Sequence, residues 1–202
     1  SARLNFGYDL QTGLVLRAIG RVGNNDTLDL TNAGVEDDIH GIQVDEFLRT
    51  INAHIYAAGD VANSGTPRIT TAGYYEARYA AKVILGLSDP IEYPAIPMTV
   101  YGTPKLAQVG LTAQQGYDAG LLVRELDMTQ WFTYYRIGEP VAKAKVVIDG
   151  LGVLKGATVL STHADELINY FTEAINDKDT YSSIRDKLFA YPTPASDLEY
   201  FF

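Results

Sequence analysis

Three of the chain's eight prolines fall within residues 86–97, "GLSDPIEYPAIP", and the hydrophobic rhythm differs on the two sides of that stretch. Proline fixes φ and removes a backbone donor, so neither a helix nor an inner strand runs through it. We therefore read two parts, residues 1–92 and 93–202, joined by a linker. With 202 residues, 47% of them hydrophobic, the chain has the apolar content for one large core or two small ones.

Ahead of the linker, short β-branched runs alternate with Gly- and Asn-rich turns. "GLVLRAIGR" (13–21) and "HIYAAGD" (54–60) are apolar bursts that predict buried strands, and "GIQVD" (41–45) predicts a third. After the small-residue loop "VANSGTPR", residues 69–85 read as an alanine- and aromatic-rich helix, on which Glu76 and Arg78 are expected to be solvated. Strand, loop, helix is an α/β order.

Beyond the linker, "MTVYG", "KLAQVGLT", "GLLVRELDM", "WFTYYRIG", "VAKAKVVID" and "GVLKGATVLS" predict strands, with a short helix near 113–119. Ala142, Ala144, Val146 and Ile148 alternate with Lys143, Lys145 and Val147, which suits a sheet with one wet face. Two helices follow. The first puts Leu167, Ile168, Phe171 and Ile175 on one side, with Thr162 and Asp165 as its capping box. Thr180 is expected to cap the second, in which Ile184 and Leu188 face inward. Strands first and helices last is an α+β pattern.

The composition excludes several function classes. The 25 acidic against 16 basic residues give a net charge of -9, and the basic residues are scattered, so nucleic acid is not an expected partner. No apolar run approaches the ~18 residues of a membrane span, and no signal-like segment opens the chain. We read it as soluble and cytoplasmic. Cysteine is absent, which removes disulfides, thiolate metal sites and cysteine nucleophiles together. His40, His54 and His163 stand apart, without metal-ligand spacing.

The stretch "TINAHIYAAGDVANSG" (50–65) carries the sharpest chemical signal. An apolar run that ends in Gly-Asp places a carboxylate where open α/β sheets hold ligands. Gly59 permits close approach, and Asp60 either accepts hydrogen bonds from ligand hydroxyls or caps a turn.

"TINAHIYAAGDV" resembles the second FAD-contacting motif of the pyridine nucleotide-disulfide oxidoreductases. "LVLRAIGRVGN" (14–24) and residues 28–50 resemble the segments that precede that motif. "IPMTVYGTPKLAQVGLT" (96–112), with Thr103, Pro104, Ala107, Val109 and Gly110, resembles the opening of the family's interface domain. "AKAKVVID", "GVLKGATVLS" and "ADELI" continue the match in collinear order. The resemblance implies an α+β dimerisation domain with an antiparallel sheet and helices, preceded by a partial α/β FAD/NAD(P)-binding segment. It implies FAD and NAD(P)H as cofactors of an intact homodimeric oxidoreductase with a disulfide or other small-molecule substrate. Asp60 would then accept a hydrogen bond from the ribityl chain, with Gly59 allowing the approach. Thr70, Thr71 and Ala72 would turn free N–H groups toward the flavin.

The match lacks the dinucleotide fingerprint and the redox cysteines that the family carries upstream, and the chain opens Ser-Ala-Arg. We read it as a truncated C-terminal portion, inactive alone, whose first half is expected to be rearranged, paired with another chain, or less stable than residues 93–202. In the tail, "LFAYPTPASDLEYFF", Tyr191 takes the place of the family's histidine, and Ser196, with Asp197 beside it, that of its glutamate. A phenol, with a pKa of about 10, donates a proton more readily than it accepts one at neutral pH. Tyr191 is either a proton donor or a packing aromatic at the dimer interface. Trp131 and "WFTYY" are expected to fill the sheet face. Two alternatives stay open: a non-catalytic dimerisation module, and part of a flavin oxidase or reductase without disulfide chemistry.

Overall fold

The computed structural model describes residues 2–3, 9–10, 12–86 and 89–202; Leu87 and Ser88 of the linker lie outside them. The chain divides into two units, residues 1–91 and 92–202.

In the first unit, β1 (Ala2–Arg3) pairs antiparallel with β2 (Asp9–Leu10). A separate small sheet orders β3 (Asp37–Asp38), β4 (Gly41–Gln43) and β5 (Ala62–Asn63), the first pair antiparallel and the second parallel. The parallel pair is the α/β signature expected of this half. Helix α1 (Thr70–Ile84) follows and buries Ala72, Glu76, Tyr79 and Ala80, a spacing that keeps to one helical face. The Tyr79 hydroxyl donates to the carbonyls of Asp89 (2.7 Å) and Glu46 (3.3 Å), which ties the end of the helix to the loops around it. Among its described residues the unit has two small clusters, one around Val35, Ile42, Ala57 and Ala62, the other around Leu48, Tyr79 and Ala80.

Two strand expectations fail here. Residues 13–21 form no strand: Leu14, Leu16 and Ile19 are 81%, 85% and 78% exposed. A strand apolar on both faces needs neighbours on each side, and no described strand pairs with this one. "HIYAAGD" makes a single bridge, Arg49 with Tyr56, and then winds into a 3-10 turn at Gly59–Val61.

In the second unit, β6 (Met98–Val100), β7 (Lys105–Gly110), β8 (Leu122–Asp127), β9 (Lys143–Ile148) and β10 (Leu154–Ser161) form one antiparallel sheet in the order β6-β7-β10-β9-β8. The alternation in β9 works as predicted on one side. Ala144, Val146 and Ile148 are buried, while Lys143 and Lys145 point out and lie opposite Asp127 and Glu125 across the β8 register, at 3.9 and 2.9 Å. Val147 breaks the pattern, being 1% exposed on the supposedly wet face. Helix α2 (Ala113–Asp118), capped by a Thr112–Gln115 box, lays Gly116 over it.

Helix α4 (Ala164–Asn176) covers the other face, burying Leu167, Ile168 and Phe171 as predicted, with Ile175 at the margin. Its predicted capping box is absent. His163 occupies the N-cap without a side-chain bond, because the Thr162 N–H and hydroxyl both donate to the Glu139 carboxylate, at 2.7 and 2.5 Å. Helix α5 (Tyr181–Arg185) does carry the expected Thr180 cap and buries Ile184, but Leu188, beyond its end, is 99% exposed. "WFTYY" is not a strand. It turns through the short helix α3 (Phe132–Tyr135), burying Thr133 and Tyr134 and leaving Phe132 and Tyr135 outside. The tail closes the core as a 3-10 segment, Pro194–Phe201, whose Phe201 ring meets Phe171 (5.0 Å) and Trp131 (5.5 Å) edge-on.

Candidate functional site

The first unit brings together the sequence-predicted residues Gly59, Asp60, Thr70, Thr71 and Ala72. Gly59 opens the 3-10 turn at φ +77°, a left-handed conformation that favours glycine. It also lies directly against α1: a Cβ on Gly73 would stand 3.2 Å from Gly59 Cα. Two glycines facing each other let the turn and the helix touch backbone to backbone. The turn therefore reaches α1 one helical turn after Thr70.

Helix α1 begins without a side-chain cap, since Ile69 has no acceptor to offer, and its ladder starts with Gly73 N–H on Ile69 O at 3.1 Å. The N–H groups of Thr70, Thr71 and Ala72 thus lie before the first intrahelical bond, at the positive end of a 15-residue helix. Asp60 is about a third exposed, and its Oδ2 accepts from Arg21 at 3.1 Å. Arg68 braces that arrangement by donating to the carbonyls of Arg21 (2.5 Å) and His40 (2.7 Å).

Glu76 corrects the sequence reading. Instead of being solvated it is 1% exposed, while Arg78 is indeed outside. Its Oε2 accepts the Gly59 N–H at 2.6 Å, and its Oε1 accepts the hydroxyls of Ser64 (2.5 Å) and Thr66 (2.9 Å). A carboxylate taken from water is retained only when such donors replace the water. Its signal in the sequence was its place three residues after Gly73, on the face that meets the Gly59 turn. Arg21 and Arg68 were missed as well.

In the second unit Tyr191 lies on the surface: it is 71% exposed and stacks on Phe132 at 6.3 Å with the rings 13° apart. Neither residue at the glutamate position serves it. The Ser196 hydroxyl belongs to the Thr193 capping box, donating to Thr193 O at 2.7 Å and accepting its N–H at 3.1 Å, and Asp197 is buried. Among the described residues no group of His, Asp or Glu side chains is arranged to hold a metal ion, and no helix is long and apolar enough to cross a membrane.

The family described as pyridine nucleotide-disulphide oxidoreductase matches residues 2–78, and its dimerisation domain matches residues 96–200. A protein of Staphylococcus aureus, called an uncharacterized 19.7 kDa protein in the mercuric resistance operon, is 37% identical over 176 residues, spanning 85% of this chain and 98% of that one. Dihydrolipoyl dehydrogenase of Chlamydia pneumoniae is 34% identical over 189 residues, or 89% of this chain and 39% of the enzyme. Among solved structures, the HOCl-induced flavoprotein disulfide reductase RclA of Escherichia coli superposes with a TM-score of 0.80 at 26% identity, covering 90% of this chain and 42% of that one. The chain thus spans about two fifths of the length of these two enzymes. Collinear matches on both sides of the linker and the five-stranded α+β unit carry one conclusion: this chain belongs to the pyridine nucleotide-disulphide oxidoreductase family.

Proposed function

We propose that this chain is the C-terminal portion of an FAD-dependent NAD(P)H oxidoreductase with a disulfide acceptor, residues 59–60 and 70–72 supplying part of the flavin pocket and residues 93–202 the homodimer interface. The observation that carries the reading is the contact between Gly59 and Gly73, which holds the turn bearing Asp60, its carboxylate about a third exposed, against the first turn of the uncapped helix α1. That pair of features fits a flavin nucleotide. A ribityl hydroxyl needs an acceptor, and reduced flavin carries a negative charge that a helix N-terminus stabilises. When bound, FAD supplies hydride acceptance from NAD(P)H and passes electrons onward.

The chain's own residues have distinct tasks in this reading. The Asp60 carboxylate holds the hydroxyl and exchanges Arg21 for it. The N–H groups of Thr70, Thr71 and Ala72 face the developing charge. Tyr191, exposed and without an acidic partner, acts as a hydrogen-bond donor in place of a base. Such a protein works in the cytoplasm with a soluble substrate.

Titrating the purified chain with FAD tests this directly. The expected result is a perturbed visible flavin band and quenched flavin fluorescence, with the affinity lowered about tenfold or more in Asp60→Ala, as the loss of a hydrogen bond to a charged group predicts. A flavin spectrum identical to that of free FAD would overturn the pocket assignment.

A second reading has its own support. The second unit holds a complete core, and the Staphylococcus aureus relative has nearly the same extent as this chain. Both favour an assembly module that dimerises without catalysis. Sedimentation equilibrium decides that: a strict monomer at high concentration removes it.

A further inference from the structure

Glu76 lies outside every role given so far, yet it is among the most completely buried side chains in the molecule. Three donors converge on it, from both sides of the loop at residues 59–66: a backbone N–H and two hydroxyls. Gly73 and Glu76 are three residues apart on α1 and share one face, so both act on the same neighbour. Gly73 admits the Gly59 backbone, and Glu76 ties the Gly59 N–H. The first sets how closely the turn lies against the helix, and the second sets where along the helix it lies. Asp60 follows Gly59 directly, and Thr70 precedes Gly73 by three residues.

We propose that Glu76 is a positioning residue that fixes the Asp60 carboxylate relative to the first turn of α1, and thereby the geometry in which the flavin nucleotide is held. The proposal rests on the pocket assignment made above. Burial of a carboxylate costs stability that an apolar side chain of similar size would not. What an apolar side chain does not do is hold Gly59 in register and order Ser64 and Thr66, whose hydroxyl oxygens lie 2.9 Å apart.

The chemistry of the cluster predicts which substitution is tolerated. Glutamine keeps one carbonyl oxygen for the Gly59 N–H. Its amide nitrogen then occupies the other site, where the Ser64 and Thr66 hydroxyls rotate from donating to accepting. Alanine leaves all three groups without their acceptor.

The experiment uses the whole chain with FAD as probe, comparing Glu76→Ala, Glu76→Gln, Gly73→Ala and, as a stability control, Tyr79→Phe. Tyr79 anchors the same helix but bonds to Asp89 and Glu46, away from Gly59. Glu76→Ala is expected to weaken FAD binding about tenfold or more and to speed amide exchange at Gly59, with Glu76→Gln restoring both to within about threefold of wild type. Tyr79→Phe is expected to lower the melting temperature while leaving FAD affinity within about twofold. Gly73→Ala, which keeps the carboxylate but pushes Gly59 outward, is expected to weaken binding as well, and it stands in should Glu76→Ala fail to fold. Wild-type affinity in both Glu76→Ala and Gly73→Ala, or in Gly73→Ala alone if Glu76→Ala is unfolded, overturns the positioning role. Wild-type chain that takes up no FAD overturns the pocket assignment instead, a result read without any variant.

Discussion

The Tyr134 hydroxyl and the Asp197 carboxyl lie in the closed interior of the second unit, at 0% and 5% exposure, and neither Tyr134 Oη nor Asp197 Oδ2 has a hydrogen-bond partner. Burial pushes both groups up, and the Asp197 and Glu139 carboxyls push Tyr134 further. The Thr133 hydroxyl lies beside Asp197 and offsets part of its shift, but outside hydrogen-bond geometry, so burial prevails. The interior favours Asp197 in its neutral form.

The pH dependence follows with a definite sign. Below the ordinary carboxyl range Asp197 is protonated in both folded and unfolded chains, and its contribution to stability is fully present. As the pH rises, the unfolded chain releases the proton first, and stability is lost until the pH passes the raised folded value. Chemical denaturation at rising pH should show wild type losing stability relative to Asp197→Asn, which carries no titrating proton at this position. Parallel curves for the two proteins would contradict this. The comparison is needed because Asp45, Asp149 and Asp165, held low by their donors, act in the opposite direction in acid.

Gly116 should tolerate no side chain. A Cβ there would stand 2.8 Å from Val147 Cγ1 and 2.9 Å from Val123 Cγ2, inside van der Waals contact. Gly116→Ala is expected to cost about 1–3 kcal/mol by overpacking, and Val147→Ala in the same chain should return part of that. Urea melts of the single and double variants measure it.

Ile184 and Leu188 read alike in sequence and differ in energy. Ile184 is 3% exposed and packs in the main core, so Ile184→Ala should cost about 2–4 kcal/mol. Leu188→Ala should stay within about 0.5 kcal/mol in the same assay.

The two units should open separately. Among the described residues, the first is held by two clusters of four and three buried residues, and the second by one large core beneath a five-stranded sheet. Hydrogen exchange should therefore protect β7, β9 and β10 well beyond α1 and β4. Equal protection across both units would count against this.

The sheet of the second unit was legible because its strands alternate or form short apolar bursts between glycine turns, and α4 because its apolar stripe repeats at helical spacing. What escaped was decided by distant partners. Thr162 looked like a cap until Glu139, 23 residues earlier in the chain, took both of its donors. The "WFTYY" run has strand propensity, but the chain must bury Tyr134 and Trp131 against the tail, and a short helix turn does that. Residues 13–21 carry a strand's pattern without a strand's neighbours. Of the candidate site, Gly59, Asp60 and the start of α1 were legible from the Gly-Asp motif and the family resemblance. Glu76 was not, because a carboxylate on an amphipathic helix reads as solvated until the groups that replace its water are seen.

The position of β10 has a consequence for how the chain is made. It is the last strand in sequence and the middle strand in space, flanked by β7 and β9. On the ribosome, the β6–β7 and β8–β9 hairpins emerge first with their inner edges bare, and nothing joins them until residues 154–161 leave the exit tunnel. The nascent chain thus passes through a window of exposed pairing edges that closes late in synthesis, when aggregation with a neighbouring chain competes with completion of the sheet.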